Sequence, residues 1–129
     1  MSKKSGLTLI ELMIALVIVS ILASVAVPIY KHYIRKGHRA NAMQALHAIQ
    51  LDEEKYRYSN LSYSSVLTVP TINNYTITIS NVSATAYTLT ATGLNDQIND
   101  SVNGTSCANL VLAVSNGNIT KTPASCWTN

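Results

Sequence analysis

Apolar and polar positions divide this chain into two regimes. From Gly6 to Tyr30 it is apolar almost without interruption, with Glu11 the one charge in the run. No charge falls between Leu12 and Tyr30, and those 19 residues, as a helix rising about 1.5 Å per residue, reach ~30 Å, one hydrocarbon thickness. Further on the apolar positions thin to a stripe. Ala42, Ala45, Leu46 and Ile49 recur at spacings of three and four, and Tyr56 returns to that face while Glu53 interrupts it. The pattern predicts one helix from Leu7 to about Ser59, roughly 80 Å long, hydrophobic all round in its first half and amphipathic in its second. Pro28 and Gly37 bracket the place where it should bend or melt.

Residues 60–73 carry Ser, Thr, Pro70 and Asn73-Asn74 and read as a long connection. Period-two alternation comes next: Tyr75, Ile77 and Ile79 against Thr76, Thr78 and Ser80, then Tyr87, Leu89 and Ala91 against Thr88 and Thr90. Two more strands, 109–114 and 118–122, flank Asn116-Gly117, a strong hairpin-turn signal, and the stretch from Gly93 to Asn109 reads as loop. The helical stripe and the inner strand faces make one small core. The predicted fold class is therefore α+β, a long N-terminal helix packed on a small antiparallel sheet.

Composition sharpens the division. Apolar residues are 47% of the chain and charged residues 12%, low for a wholly soluble protein, and much of the excess lies in the first 30 residues. The formal charge of +3 is local: without Lys3 and Lys4 it falls to about +1. Lys31, Arg35, Lys36 and Arg39 cluster after the apolar run, where lipid headgroups are their expected partners before assembly. Cys107 and Cys126 have too few ligands nearby for a metal site and form no CxxC pair. A disulfide between them suits an oxidising compartment.

The N-terminal run admits a secretory signal peptide, a plain membrane anchor, or an anchor cut to expose a useful terminus. Glu11 fits the first poorly, since an acid does not belong in such a core. The order Lys3-Lys4-Ser5-Gly6, then Leu7-Thr8-Leu9-Ile10-Glu11, resembles the leader of type IV prepilins and of the related pseudopilins of type II secretion. The resemblance implies a pilin fold, leader cleavage after Gly6 by a membrane peptidase, and N-methylation of Leu7. That family commonly has Phe at the new terminus, so Leu7 is an apolar departure. Pro28 matches a position where its helix often kinks, and the ending "KTPASCW" is similar to that of small PilE-like minor pilins, whose variable C-terminal loop is commonly closed by a disulfide.

That resemblance implies an organisation and a role. Residues 1–6 are the leader, 7–34 the membrane or filament-core helix, and 35–129 the α+β head. Glu11 has a reason to exist: a membrane carboxylate costs about 2.5–3.5 kcal/mol on insertion scales, and cleavage creates an amine on Leu7 that a neighbouring subunit's Glu11 can pair with. That pair sets register. The expected function is a structural subunit, a minor pilin, of a filament used for motility, adhesion or DNA uptake, held in the inner membrane with its N-terminus in the cytoplasm before assembly and carried outside the cell after it. Expected partners are other pilins, the peptidase, the assembly machinery and the membrane. Positive-inside counting opposes this topology; the cysteines and leader outweigh it. A type II pseudopilin and a DNA-binding minor pilin are the alternatives.

Nothing points to an enzyme: GxSxG, HExxH, the P-loop and GxGxxG are all missing, and no cofactor is expected. His32, His38 and His47 share no ligand face. Asn95-Asp96 and Asn99-Asp100 gather oxygen-bearing side chains, so Asp96 and Asp100 are the carboxylates a calcium ion would use, though the spacing matches no EF-hand. For DNA, Lys55-Tyr56-Arg57-Tyr58 interleaves cations and aromatics beside the acids Asp52, Glu53 and Glu54, and beyond it only Lys121 remains.

Overall fold

The computed structural model describes residues 6–66 and 69–128, so the leader lysines Lys3 and Lys4 lie outside the described residues. Helix α1 runs Leu9–Ser59. It continues without a break through Pro28 and Gly37, so the melting that the sequence allowed there is not part of this structure. Proline withdraws one donor from the helical ladder, and the turns on either side carry the helix past it. A Cβ added at Gly37 would meet nothing within 4 Å, so no packing demand holds that glycine.

The chain forms two units, Met1–Ile34 and Arg35–Asn129. In the first, the large apolar side chains from Leu9 to Ile34 are exposed all round, and by length and composition α1 is able to cross a membrane. Its start is closed by a feature that sequence reasoning did not anticipate. Glu11 Oε2 accepts from the Thr8 backbone N–H and hydroxyl, both at 2.8 Å, while Thr8 Oγ1 accepts from the Glu11 N–H at 3.3 Å. This reciprocal box satisfies two of the donors that every helix start leaves open.

In the second unit the α1 stripe of Ala42, Met43, Leu46 and Ile49 joins a core with Tyr75, Ile77, Tyr87, Leu89, Ala91, Leu110, Leu112 and Val114. The sheet strands are β1 (Tyr75–Ser80), β2 (Ala86–Gly93), β5 (Asn109–Ser115) and β6 (Asn118–Thr122), in the order β1-β2-β5-β6 with every neighbour antiparallel. Alternation placed β1 and β2, whose two faces differ in burial, and the Asn116-Gly117 turn signal placed β5 and β6, of which β6 is exposed along its length. The water-facing side is uncharged and rich in threonine: Thr76 lies opposite Thr92, Thr78 opposite Thr90 and Ser80 opposite Thr88.

The stretch Gly93 to Asn109 is not a plain loop. It holds a 3-10 turn at Asn95–Asn99 and a small ribbon of β3 (Ser101–Val102) and β4 (Thr105–Ser106). Gly93 is needed where this segment leaves β2, because a Cβ there would stand 3.0 Å from the Ala108 carbonyl oxygen. Cys107 and Cys126 are bonded, tying the end of that ribbon to a second 3-10 turn at Ala124–Cys126. Among the described residues, five corners have positive φ at a residue other than glycine, and each is an asparagine: Asn74, Asn81, Asn95, Asn103 and Asn116. Asparagine tolerates the left-handed region better than other residues with a Cβ. At the β5–β6 hairpin Asn116 and Gly117 both have positive φ, the requirement of a type I′ turn.

Candidate functional site

Two charged clusters lie in the second unit, and they do different work. The first joins α1 to the Asn95–Asn99 turn. Arg35 grips Asp96 with two nitrogens, at 2.8 and 2.9 Å, and one helical turn later Arg39 meets Asp100 at 2.6 Å. Arg39 and Asp100 are 2% and 1% exposed, a burial an ion pair tolerates only with further hydrogen bonds. Gln97 supplies one to the pair: its side-chain amide donates to Asp100 Oδ2, and also to the Tyr75 hydroxyl and the Arg35 carbonyl. Burial pushes the Tyr75 phenol up to about 12, so it stays neutral. Asp96 and Asp100 thus both face arginines. A calcium ion would have to displace two guanidinium groups, and among the described residues no three metal-ligating side chains gather. The expectation that Arg35 and Arg39 serve lipid headgroups gives way to this clamp, whose partners lie 61 residues away.

The second cluster lines a groove between one flank of α1 and the edge strand β6. Lys121 lies opposite Leu112 and Ile119 opposite Val114. Since Leu112 and Val114 are buried, Lys121 and Ile119 lean to the helix side of the sheet. On the helix, His47, Gln50, Glu54 and Arg57 succeed one another at spacings of three and four, one flank of the coil.

At one end of this groove stands a cation on an aromatic platform. Lys121 Nζ lies 5.3 Å from the Trp127 ring centre and 3.3 Å from His47 Nε2. His47 meets Trp127 edge to face at 5.8 Å, and its Nδ1 is 3.2 Å from Gln50 Oε1. The indole donates to the Thr122 carbonyl, so the ring is fixed beside the disulfide. Lys121 makes no ion pair among the described residues and carries the charge this surface offers. At the other end an open cleft of about 460 Å³ is lined by Glu54, Arg57, Tyr63, Thr85, Asn116 and Gly117. Arg57 lies 5.1 Å over the Tyr63 ring, and the Tyr63 hydroxyl donates to Glu54 Oε1 at 3.2 Å. Beneath them Tyr63 meets Tyr87 edge to face at 4.6 Å. Glu53, which read as a break in the apolar stripe, is fully buried and accepts the Ser64 N–H at 2.9 Å. Burial pushes its carboxyl up, with the Ser64 N–H opposing the shift and the nearby Glu54 charge adding to it.

Cations, aromatic faces and one acid along a groove suit a polyanion that also shows bases. Of the residues singled out from the sequence, Arg57 and Lys121 fall at the two ends of this groove; Gly6, Leu7, Glu11 and Pro28 belong to the first unit and Gly37 to helix outside it. Trp127, His47, Tyr63 and Glu54 were missed as site residues. Only the "KTPASCW" ending drew attention to Trp127, and nothing local ties it to His47, 80 positions earlier in the chain.

A family model described as type IV minor pilin ComP, DNA uptake sequence receptor, matches residues 28–111. The prokaryotic N-terminal methylation motif matches residues 1–27. Prepilin peptidase-dependent protein D of Escherichia coli (strain K12) is 41% identical over 44 residues, 34% of this chain and 30% of that relative's length. A solved type IV pilin from Shewanella oneidensis superposes with a TM-score of 0.59 at 21% identity, covering 74% of this chain and 99% of that one. At that identity the likeness is one of fold.

Proposed function

The chain belongs to the ComP family of type IV minor pilins, and on that premise we propose that it binds duplex DNA at the surface of a pilus and presents it for uptake. The family match across residues 28–111 carries this reading, and it raises the DNA alternative above motility or adhesion. It also favours a pilus over a secretion pseudopilus. The groove supports it on independent grounds, since Lys121 and Trp127 lie beyond the matched residues.

Processing and assembly complete the proposal. The peptidase cuts after Gly6 and Leu7 is methylated, a step the N-terminal motif match supports. Residues 7–34 anchor the subunit in the inner membrane with the leader in the cytoplasm, and the 35–129 head, with its disulfide, lies in the oxidising space beyond. On incorporation Glu11 exchanges its contact with Thr8 for the Leu7 amine of a neighbouring pilin. Helix transfer from lipid to a bundle gains little hydrophobic energy, so packing and this pair fix register.

Charge sets a bound on how DNA is held. From residue 35 onward, Arg35, Lys36, Arg39, Lys55, Arg57 and Lys121 face Asp52, Glu53, Glu54, Asp96 and Asp100, a formal +1. Arg35, Arg39 and Lys55 are tied to acids, leaving Lys36, Arg57 and Lys121 without an ion pair among the described residues. With about 0.9 of a counterion released per neutralised phosphate, the salt slope of log affinity should be no steeper than about −3. The test is fluorescence anisotropy of the full chain in detergent micelles with labelled duplexes across a salt series. Binding with a shallow slope, reduced by about one in Lys121→Ala, is expected. No binding above that of empty micelles overturns the reading.

A further inference from the structure

The cleft at the Arg57 end holds two opposite charges that do not neutralise one another. Arg57 and Glu54 share its lining, yet no ion pair joins them among the described residues. Tyr63 positions both. Its ring face supports the guanidinium and its hydroxyl orients the carboxylate, while Tyr63 itself is buried against Tyr87. The guanidinium makes no side-chain hydrogen bond among the described residues, and Arg57 lines the open cleft. A guanidinium stationed over an aromatic ring with its donors unengaged can make two parallel hydrogen bonds.

We infer that this cleft reads one G·C base pair through the major groove, with Arg57 donating to guanine N7 and O6 and Glu54 accepting from the cytosine N4 amino group. The inference rests on the DNA reading above and gives the groove a division of labour: Lys121 positions the backbone and the cleft selects sequence. Charge complementarity selects the occupant. A phosphate entering at Arg57 would meet the Glu54 carboxylate as well, and like charges repel. The major-groove edge of a G·C pair places two adjacent acceptors beside a donor, the pattern that a guanidinium beside a carboxylate complements. An A·T pair breaks that pattern, with the adenine N6 donor next to N7 and the thymine O4 acceptor where the cytosine amine would stand. The scarcity of unpaired cations points the same way. A head surface with three of them among its described residues holds DNA loosely through phosphates, so discrimination has to come from base edges.

The experiment selects duplexes from a randomised pool with the full wild-type chain in micelles, then measures each G·C to A·T exchange within the selected sequence. Wild type should lose about 5- to 150-fold in affinity at one G·C position. Arg57→Lys keeps the charge and loses the fork, and Glu54→Ala removes the acceptor. Each should flatten the preference at that position while the other positions keep theirs, and near-ultraviolet circular dichroism checks that the variant heads are folded. Lys121→Ala should lower affinity evenly across sequences. If Arg57→Lys and Glu54→Ala both retain the full G·C preference, the cleft is not the reader, and the DNA reading survives. Absence of binding by wild type sinks that reading, and this inference with it.

Discussion

The two halves of α1 have the same backbone and opposite surroundings. From Leu9 to Ile34 every side chain faces outward in an almost wholly apolar coat, with Leu16 61% exposed. From Arg35 to Ser59 the helix buries a stripe, and within that stripe sit an arginine and a glutamate, Arg39 and Glu53, at 2% and 0% exposure. Hydrophobicity alone does not decide burial here. The first half is greasy and uncovered within the chain, and on our proposal its covering is lipid or other subunits; the second buries charge because Asp100 and the Ser64 N–H meet it within the same unit. Each half contributes one member of an acid–cation pair: Arg39, satisfied inside the chain by Asp100, and Glu11, satisfied on our proposal between chains.

Four measurements press on that contrast, the largest effect first. Glutamine in place of Glu11 can still close the box with Thr8 but carries no charge. Loss of the subunit from sheared filaments in Glu11→Gln is expected if charge pairing drives incorporation, whereas incorporation at the normal level would assign Glu11 to helix capping alone. Asp100→Ala strands the Arg39 guanidinium in the interior and should cost about 3–5 kcal/mol of head stability, read by urea unfolding followed through Trp127 fluorescence. Leu46→Ala and Leu16→Ala make the same deletion in the two halves. The first should cost about 2–5 kcal/mol in that assay, and the second should stay within about 0.5 kcal/mol. Equal effects would mean that the halves do not differ in the way described.

The smallest effect concerns Glu53. A buried carboxyl whose pKa is raised on folding binds its proton more tightly in the folded chain, so its contribution is most favourable at low pH and is lost as pH rises through the carboxylate range. Glu53→Gln keeps an acceptor for the Ser64 N–H and removes the charge. Its unfolding midpoint should exceed that of wild type at pH 7, with the gain shrinking toward about pH 4. A gain that does not vary with pH would remove burial of the charge as the cause.

Much of the fold is legible in the order of residues alone. Period-two alternation marks β1 and β2, because each has a drier face and a wetter one, and Asn116-Gly117 marks the turn that places β5 and β6. The second half of the helix is legible for the same reason at a period of 3.6, and the first half from its unbroken apolar run. The segment from Gly93 to Asn109 is not, since a single 3-10 turn and strands of two residues are too short to show a period. Arg39 reads as one more basic residue after a membrane span. Its partner Asp100 is fixed by tertiary packing, and no local pattern announces it. Glu53 reads as an error in the stripe because the N–H that needs it belongs to a connection without regular structure. The groove is only half visible: its cations can be counted, but the aromatic supports Trp127 and Tyr63 are brought to them by the fold.

The asparagines at the five left-handed corners constrain how this head can change by inheritance. Thr faces of the sheet can drift among small polar residues with little consequence for the backbone. At Asn74, Asn81, Asn95, Asn103 and Asn116, replacement by glycine or aspartate leaves the path of the chain open, while a β-branched residue opposes it. Descendants of this sequence should therefore vary in what their surfaces display and stay conservative at the places where the chain turns.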